Sequence, residues 1–472
     1  MVSVLIVGAG FGGIGVAVEL RRAGFTDVTV VEKADELGGV WRDNTYPGAG
    51  CDIPSPYYSY SYAPNSRWPT RYSEQPEIKE YLARVADRFG IRPRYGVEVT
   101  SAEFTDGRWL ARTAAGGRLG ADVLVFALGQ LSRPAMPDIP GRDSFAGRSF
   151  HSARWDHDCD LTGRRVAVVG TGASAVQFVP KVRERAATLT VFQRSAPWVL
   201  PKPDVAYGDR WRRSRVAQRV ERGFFWSLGE VAAFGLRGNR AVTRTVEWLA
   251  GRHLRRQVAD PWLRDLLVPD YRIGCKRVLF SNDYLPALQQ PNVSLRTEAI
   301  TEITPAGLRT ADGTEHAADV IVYGTGFRAT EFLAPVDVRG AGGRSLAQAW
   351  TGGARAYLGM TVPDFPNMFL MYGPNTNLGS GSIVYMLERQ ARYVRQAVER
   401  VAAEGSCLDV RPEVADRFDA EVQRRLARST WSLCRSWYRE ADGRVSTNWP
   451  GLVSEYHRRT RTLDPTDFRW RR

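Results

Sequence analysis

The apolar positions of this chain fall into a pattern that occurs twice. Residues 2–7 form a short, β-branched run, followed by a glycine turn, a helical period to about Arg22 and a second strand over 27–32. Residues 164–169 repeat the run, a glycine turn follows, a helix extends to about Ala187, and 188–193 is again a strand. Such uninterrupted apolar strands are buried on both faces of a parallel sheet. The chain therefore reads as α/β with two Rossmann-type dinucleotide-binding units. Residues 71–90 have the spacing of one amphipathic helix, with Glu74 and Pro76 suited to its first turn. The run 121–129 ends in a glycine turn, and the proline-rich stretch 130–141 is a linker. Between 201 and 270 the strand–helix alternation gives way to long helical periods rich in Trp, Phe and Arg, read as a helical insertion. Phe224, Phe225, Trp226, Phe234 and Trp248 are placed to line a cleft, although aromatics at helical spacing more often fill a core. Two short strands are expected after Asn292, a strand before Gly373, and a helix over 383–404.

The two glycine turns carry the first chemistry. Gly8-Ala-Gly10-Phe-Gly-Gly13 lies between strand and helix, the context in which G-x-G-x-x-G has meaning. Gly8 permits the tight turn, Gly10 lets the backbone approach a pyrophosphate, and Gly13 lets helix and strand pack closely. The helix start offers free N–H groups to phosphates. Glu32, with Lys33 beside it, ends the second strand and is placed to bind a ribose diol. The second turn, Gly170-Thr-Gly172-Ala-Ser174-Ala175, carries Ala where the third glycine would stand, which needs only a small side chain. Arg194 lies 24 positions after Gly170, as Glu32 lies 24 after Gly8. A carboxylate there repels a 2′-phosphate and a guanidinium binds it, with the Ser195 hydroxyl as a further donor. The second unit is thus expected to prefer NADPH over NADH.

Composition narrows the class. At 472 residues, 43% hydrophobic and 25% charged, the chain has room for two or three domains with full cores. Its net charge of +14 invites a nucleic-acid reading, but arginine is spread along the whole length and no nucleic-acid-binding motif occurs. The cluster Arg210-Trp-Arg-Arg-Ser-Arg215 reads as a solvated helix face. No signal peptide and no transmembrane segment are expected, since no window nears the ~18 apolar residues a span needs. The five scattered cysteines imply a reducing, cytoplasmic setting with no disulfide framework and no metal site. Oligomeric state is not legible.

Between the two units lies Phe145-Ala-Gly147-Arg-Ser-Phe-His151-Ser-Ala-Arg-Trp155-Asp156, an irregular connector by pattern alone. Its spacing, Phe-x-Gly-x-x-x-His-x-x-x-Trp-Asp, resembles the signature of the type I Baeyer–Villiger monooxygenases. A second stretch, Gly38-Gly39-Val40-Trp41-Arg-Asp-Asn-Thr-Tyr46-Pro-Gly48-Ala-Gly-Cys-Asp52, resembles the family's FAD loop at every position. The resemblance covers essentially the whole chain. It implies FAD in the first unit, NADPH in the second, and insertion of one oxygen atom of O2 beside a ketone through a C4a-peroxyflavin. Gly39, Val40, Trp41, Asp52 and Tyr58 then surround FAD. Of the pair Lys276-Arg277, the first contacts the NADPH phosphate and the second is the active-site arginine, oriented by Asp52. Trp437, in Ser436-Trp437-Tyr438, covers the nicotinamide side, and Asp319-Val-Ile-Val-Tyr-Gly324-Thr-Gly-Phe327 marks the return to the FAD domain. Phe145, Gly147, His151, Trp155 and Asp156 couple the domains.

The expected division is a FAD-binding domain at 1–141 and 326–472, an NADPH-binding domain at 142–200 and 271–325, and the helical insertion at 201–270. The small-molecule partners are a ketone and O2. An N- or S-oxygenating flavin-containing monooxygenase is the alternative, against which Trp155-Asp156 and Arg277 argue. A non-oxygenating FAD/NADPH-binding protein would need no Asp52–Arg277 pair, and a disulfide reductase needs a paired redox cysteine.

Overall fold

The computed structural model describes residues 2–434, 436–440 and 442–471. Two parallel sheets carry the two units. The first orders its strands Met368–Leu370, Val123–Phe126, Val4–Val7 and Val28–Val31. The second orders Val293–Arg296, Thr188–Phe192, Arg165–Val169, Val320–Tyr323 and Arg148–His151. Val4–Val7, Val123–Phe126 and Val320–Tyr323 are buried at every position, as apolar runs without alternation require. Both central strands feed their helix, Phe11–Arg22 and Ala173–Val182, across a glycine turn.

The first sheet is closed from one side by the 22-residue helix Ile383–Glu404, which packs against Phe11–Arg22. Val384, Leu387, Ala391, Val394, Val398 and Val401 recur at helical spacing on its buried face. Each Val or Leu fully buried there contributes about 1.5–3 kcal/mol of transfer free energy. Gly405, at φ 61°, stops the helix in the left-handed conformation that favours glycine. A mixed sheet flanks this unit: Val99–Thr105, Arg108–Thr113 and Arg118–Ala121 run antiparallel, and Asp337–Arg339 joins the edge parallel to the first.

Several expectations are corrected. The Baeyer–Villiger-like signature is not an irregular connector: Arg148–His151 forms the edge strand of the second sheet, paired with Val320–Tyr323. After Asn292 there are more strands than two, because Ile300–Thr304, Gly307–Thr310 and Glu315–Ala317 form an antiparallel meander before Val320. The helix after the second glycine turn ends at Val182, two residues past Pro180. The basic tail, unreadable by pattern, is the strand Phe468–Arg471, paired with Cys407–Val410. Its Arg469 and Arg471 hold Asp409 and Asp364 in ion pairs of 2.6–2.9 Å. The insertion is helical, with Arg215–Leu236 and Arg240–Gln257 as its long members. No helix among the described residues is long and apolar enough to cross a membrane.

Candidate functional site

The two glycine turns are built alike. Gly8 has φ +108° and Gly170 φ +103°, and a Cβ on either would stand 2.5–2.6 Å from a carbonyl, that of Ala127 or Gly324. Only glycine fits. Gly10 and Gly172 are extended and cap their helices. The first helical bonds run from Ile14 N to Gly10 O and from Val176 N to Gly172 O, both 3.0 Å. The amides before them face outward from each helix start, as a pyrophosphate needs. A Cβ on Gly13 would lie 1.8 Å from Gly8 O, whereas Ala175 tolerates its own because it packs against Gly324. Both turns fit a dinucleotide.

Beyond the turns the units diverge. Glu32 is buried and held in place: it accepts from Ala9 N at 2.9 Å and Ala34 N at 3.1 Å, and pairs with Arg42 at 3.0 Å. Lys33 is exposed. Gly39, at φ 56°, caps the short helix Val40–Asp43 and approaches Gly10, where a Cβ would meet its Cα at 3.2 Å. Trp41 donates to the Tyr58 hydroxyl at 3.1 Å and meets its ring edge-on at 5.7 Å. In the second unit Arg194 is exposed, and Lys276 donates to Ser195 Oγ at 2.7 Å. Burial pulls the Lys276 ammonium below its ordinary value, Asp270 opposes this, and Arg194 adds to it. Ser174 lies on the first turn of the helix, partly buried.

Where the units meet, Asp52 and Arg277 come together, coupled by charge rather than by a direct ion pair. Burial raises the Asp52 carboxyl above its ordinary value, while Arg277 and Lys202 draw it back. Burial works against the Arg277 charge, but Asp52, Tyr438 and Tyr372 outweigh it and the guanidinium stays cationic. Burial also pushes the Cys51 thiol up to about 12, so that it stays protonated beside Asp52. Arg277 acts electrostatically on Cys51, Tyr58, Tyr372 and Tyr438 alike. The FAD-like loop, the turn after Leu370 and the Tyr438 segment thus converge on one guanidinium.

The signature segment touches both units. Trp155 packs edge-on against Phe150 at 5.1 Å and, tilted, against Phe178 at 5.5 Å. Asp156 pairs with Arg148 at 2.7 Å, and Phe145 packs on the core around Ile321. A Cβ on Gly147 would lie 2.3 Å from Asp319 O. Across to the FAD-like loop, Arg154 reaches Asp43 at 3.8 Å and His157 bonds Thr45 at 2.7 Å. His151 is buried, accepts from Ala153 N through Nδ1 at 3.1 Å, and meets the Phe327 ring edge-on at 5.8 Å. Its Nε2 has no hydrogen-bond partner, although the Gly326 backbone lies close enough to favour the protonated ring.

The cysteine expectation fails. Cys275 and Cys434 form a disulfide that ties the Lys276-Arg277 loop to the segment bearing Trp437, with Cα atoms 6.1 Å apart. The residues are 159 positions apart, so spacing could not reveal them. The aromatic-cleft reading is also corrected: Phe224, Phe234 and Trp248 face outward and are 49–62% exposed. Phe225 and Trp226 are only partly buried. Gln177 was missed. From the second unit's helix its Nε2 donates to Gly50 O at 2.9 Å and to Asp52 Oδ1 at 3.4 Å, and its Oε1 accepts from Tyr46 at 2.8 Å. Its helical neighbours Ser174 and Lys181 are polar as well, so no pattern set Gln177 apart.

The comparisons agree with this geometry. Residues 5–225 match the family model described as pyridine nucleotide-disulphide oxidoreductase. A Baeyer–Villiger monooxygenase of Streptomyces coelicolor is 44% identical, over 99% of this chain and 92% of that protein. Among solved structures, an oxidised steroid monooxygenase bound to NADP superposes with a TM-score of 0.89 at 32% identity, covering 99% of both chains. OTEMO in complex with FAD and NADP gives 0.89 at 27% identity, over 100% of this chain and 99% of that one. Two glycine turns suited to dinucleotides, a shared arginine between them and relatives matched along the whole length place this chain in one family: it belongs to the Baeyer–Villiger monooxygenases, FAD- and NADPH-dependent flavoproteins.

Proposed function

We propose that the protein inserts one oxygen atom of O2 beside a ketone, giving an ester or lactone, with Arg277 as its catalytic cation. The observation that carries this reading is the convergence of Asp52, Tyr58, Tyr372 and Tyr438 on Arg277 where the two units meet. When bound, FAD and NADPH supply the hydride and the activation of dioxygen. The chain supplies position and field. Arg277 stabilises the negative charge that builds on the substrate oxygen, since a guanidinium remains cationic at any working pH. Asp52 orients Arg277 and is itself held by Gln177 from the opposite unit.

The Gly8, Gly10 and Gly13 turn holds the FAD pyrophosphate, with Glu32 and Lys33 toward its adenosine and Gly39, Val40, Trp41 and Tyr58 around the remainder. Gly170, Gly172, Ser174 and Ala175 hold the NADPH pyrophosphate. Arg194, Ser195 and Lys276 would bind its 2′-phosphate, and Trp437 would cover the nicotinamide side. His151, Phe145, Gly147, Trp155 and Asp156 brace the second sheet's edge, so that Arg154 and His157 of the same segment can hold the FAD-like loop and couple the two units. The domain division expected above is retained in this reading. A cytoplasmic setting belongs to it because the reaction consumes NADPH.

The test is product analysis by mass spectrometry after incubation of the FAD-loaded protein with NADPH, air and a panel of ketones and sulfides. Ester or lactone formed in proportion to NADPH consumed supports the reading. Sulfoxide without any ester would move the protein to the heteroatom oxygenases.

A further inference from the structure

We propose that the outer face of the helical hairpin Arg215–Leu236 and Arg240–Gln257 docks on the surface of an anionic phospholipid bilayer. Val216, Val220, Phe224, Leu228, Val231 and Phe234 follow one another at intervals of four and three and are 49–70% exposed. At about 100° per residue this spacing puts all six on a single stripe. The stripe runs most of a helix about 33 Å long, by the usual rise per residue. Isolated exposed apolar residues need no explanation, but a continuous stripe marks an interaction surface.

The opposite face of the same helix is committed to the protein. Arg222 donates to Pro56 O and Ser59 O at 2.7 and 2.8 Å, and Ser380 donates to Gly229 O at 3.0 Å. Leu236 lies against Gly274, one residue before the Cys275-Lys276-Arg277 run. The outward stripe is therefore not a core face left open by the fold.

Charge decides the occupant. Arg215 and Arg219 flank the stripe, and Arg240, Arg244, Arg252 and Arg255 are exposed on the second helix. The hairpin's acids all turn inward. Glu221 binds Arg71, Tyr207 and Trp211, Glu230 accepts from Val453 N and Ser454 N, and Glu247 binds Arg272 and Ile273 N. Among the described residues of the hairpin, the outer face carries arginine and no carboxylate. Trp248 and, just beyond, Trp262 are 54% and 65% exposed, the residue type that settles at a lipid–water boundary. A second copy of the chain would set one arginine rim against another across a two-fold axis, which charge disfavours. An anionic lipid surface neutralises the rim and takes up the stripe. Since no described helix is fit to span, the hairpin lies on the bilayer and not through it. Given the ketone oxygenation proposed above, docking brings the hairpin, whose inner face reaches Gly274 beside the Lys276-Arg277 run, next to the medium in which an apolar ketone concentrates.

The experiment is co-sedimentation of the FAD-loaded protein with vesicles of equal phosphatidylglycerol and phosphatidylcholine, compared with phosphatidylcholine alone. Partition is expected to be at least tenfold greater on the anionic vesicles, at roughly fivefold per arginine engaged, and to fall as salt rises. Arg240→Glu with Arg244→Glu should lower it by at least about 25-fold, and separately Phe224→Asp with Leu228→Asp by about tenfold. Turnover of a water-soluble ketone should stay at the parent rate in both. Equal partition on the two vesicle types, none on either, or variants that bind as the parent does would overturn the proposal. So would a lipid-free dimer, seen by sedimentation velocity, that Phe224→Asp converts to monomer. Partition is read without turnover, so a protein that oxygenates ketones yet ignores vesicles refutes this inference alone. One that binds vesicles but makes no ester refutes only the reading of its chemistry.

Discussion

The two dinucleotide units share a plan and differ in sign. Each has a parallel strand, a left-handed glycine whose Cβ would strike the carbonyl of the return strand, and a helix whose first amides are free. At the end of the next strand the first unit carries Glu32, buried and held by Ala9, Ala34 and Arg42. The second carries Arg194, exposed and close to Ser195 and Lys276. The same division recurs at the meeting point, where the first unit contributes Asp52 and the second Arg277. Backbone geometry therefore makes both units dinucleotide sites, and side-chain charge alone makes them different ones. In the proposed function the cationic side is the one that meets the extra phosphate and supplies the charge for chemistry.

The comparison breaks most sharply at Arg277. Replacing it by Ala removes the second unit's cation from the meeting point but leaves both glycine turns intact. Loss of one well-placed donor to a developing oxyanion costs about 2.7–4 kcal/mol. Ester formed per NADPH oxidised should fall on the order of a hundred- to thousandfold, with FAD still bound and oxygen consumption diverted to hydrogen peroxide. An unchanged ratio removes Arg277 from the mechanism.

Next in size is the close approach that the units solve differently. In the first, Gly13 leaves no room for a methyl, since a Cβ there would lie 1.8 Å from Gly8 O. In the second the methyl is present on Ala175, and Gly324 gives way instead: a Cβ on Gly324 would stand 3.2 Å from that of Ala175. Gly13→Ala should cost about 1–3 kcal/mol as overpacking against backbone and strip FAD from the purified protein. Gly324→Ala asks its neighbours to shift by only a few tenths of an ångström and should keep both FAD and NADPH binding. Flavin absorbance and thermal unfolding of the two variants measure this directly. Equal losses would mean that the small residues are not interchangeable between the units.

Arg194→Glu carries the first unit's charge into the second. The parent should prefer NADPH over NADH at least tenfold in kcat/KM, about 1.4 kcal/mol. The variant should lose that preference through a rise in KM for NADPH, with NADH little affected. A preference that survives would place the 2′-phosphate elsewhere, on Lys276 alone or beyond it.

Much of this division was legible in the sequence because it rests on local rules. A β-branched run, a glycine turn and a helical period are contiguous, so both Rossmann-type units and the slots of Glu32 and Arg194 follow from spacing. What depends on distant segments was not legible. The Cys275–Cys434 bridge joins residues 159 positions apart. Gln177 reaches Asp52 only after the second unit folds against the first. The outward turn of Phe224 and Phe234 depends on which face of the helix the FAD-binding side covers, and helical periodicity is blind to that choice. The strand Phe468–Arg471 escaped for the same reason, since its partner lies at Cys407–Val410 and its four residues carry no period of their own.

The smallest expected effect belongs to His151, which sits where the second unit's edge strand meets the return to the first. Its Nδ1 accepts from Ala153 N at 3.1 Å, so the ring's proton resides on Nε2, beside the Gly326 backbone. Burial is the main cause that lowers its pKa from the ordinary 6.5, with Arg154 adding to it. In the unfolded chain the ring takes its proton near 6.5, whereas in the folded protein it resists until the pH is lower. Just below 6.5 the unfolded state therefore binds more protons, and stability is lost as the pH falls through that window. His151→Asn keeps an acceptor for Ala153 N without a titrating ring. Thermal unfolding measured on both sides of pH 6.5 should show a shallower decline for the variant than for the parent, with FAD retained in both. Flavin reduction by NADPH should slow in the variant, because the link from the edge strand to Phe327 is loosened while neither glycine turn is touched. Identical pH slopes would assign the acid lability to other groups. Loss of FAD would show that His151 supports the first unit itself, and that the two units are not as separable as their charges suggest.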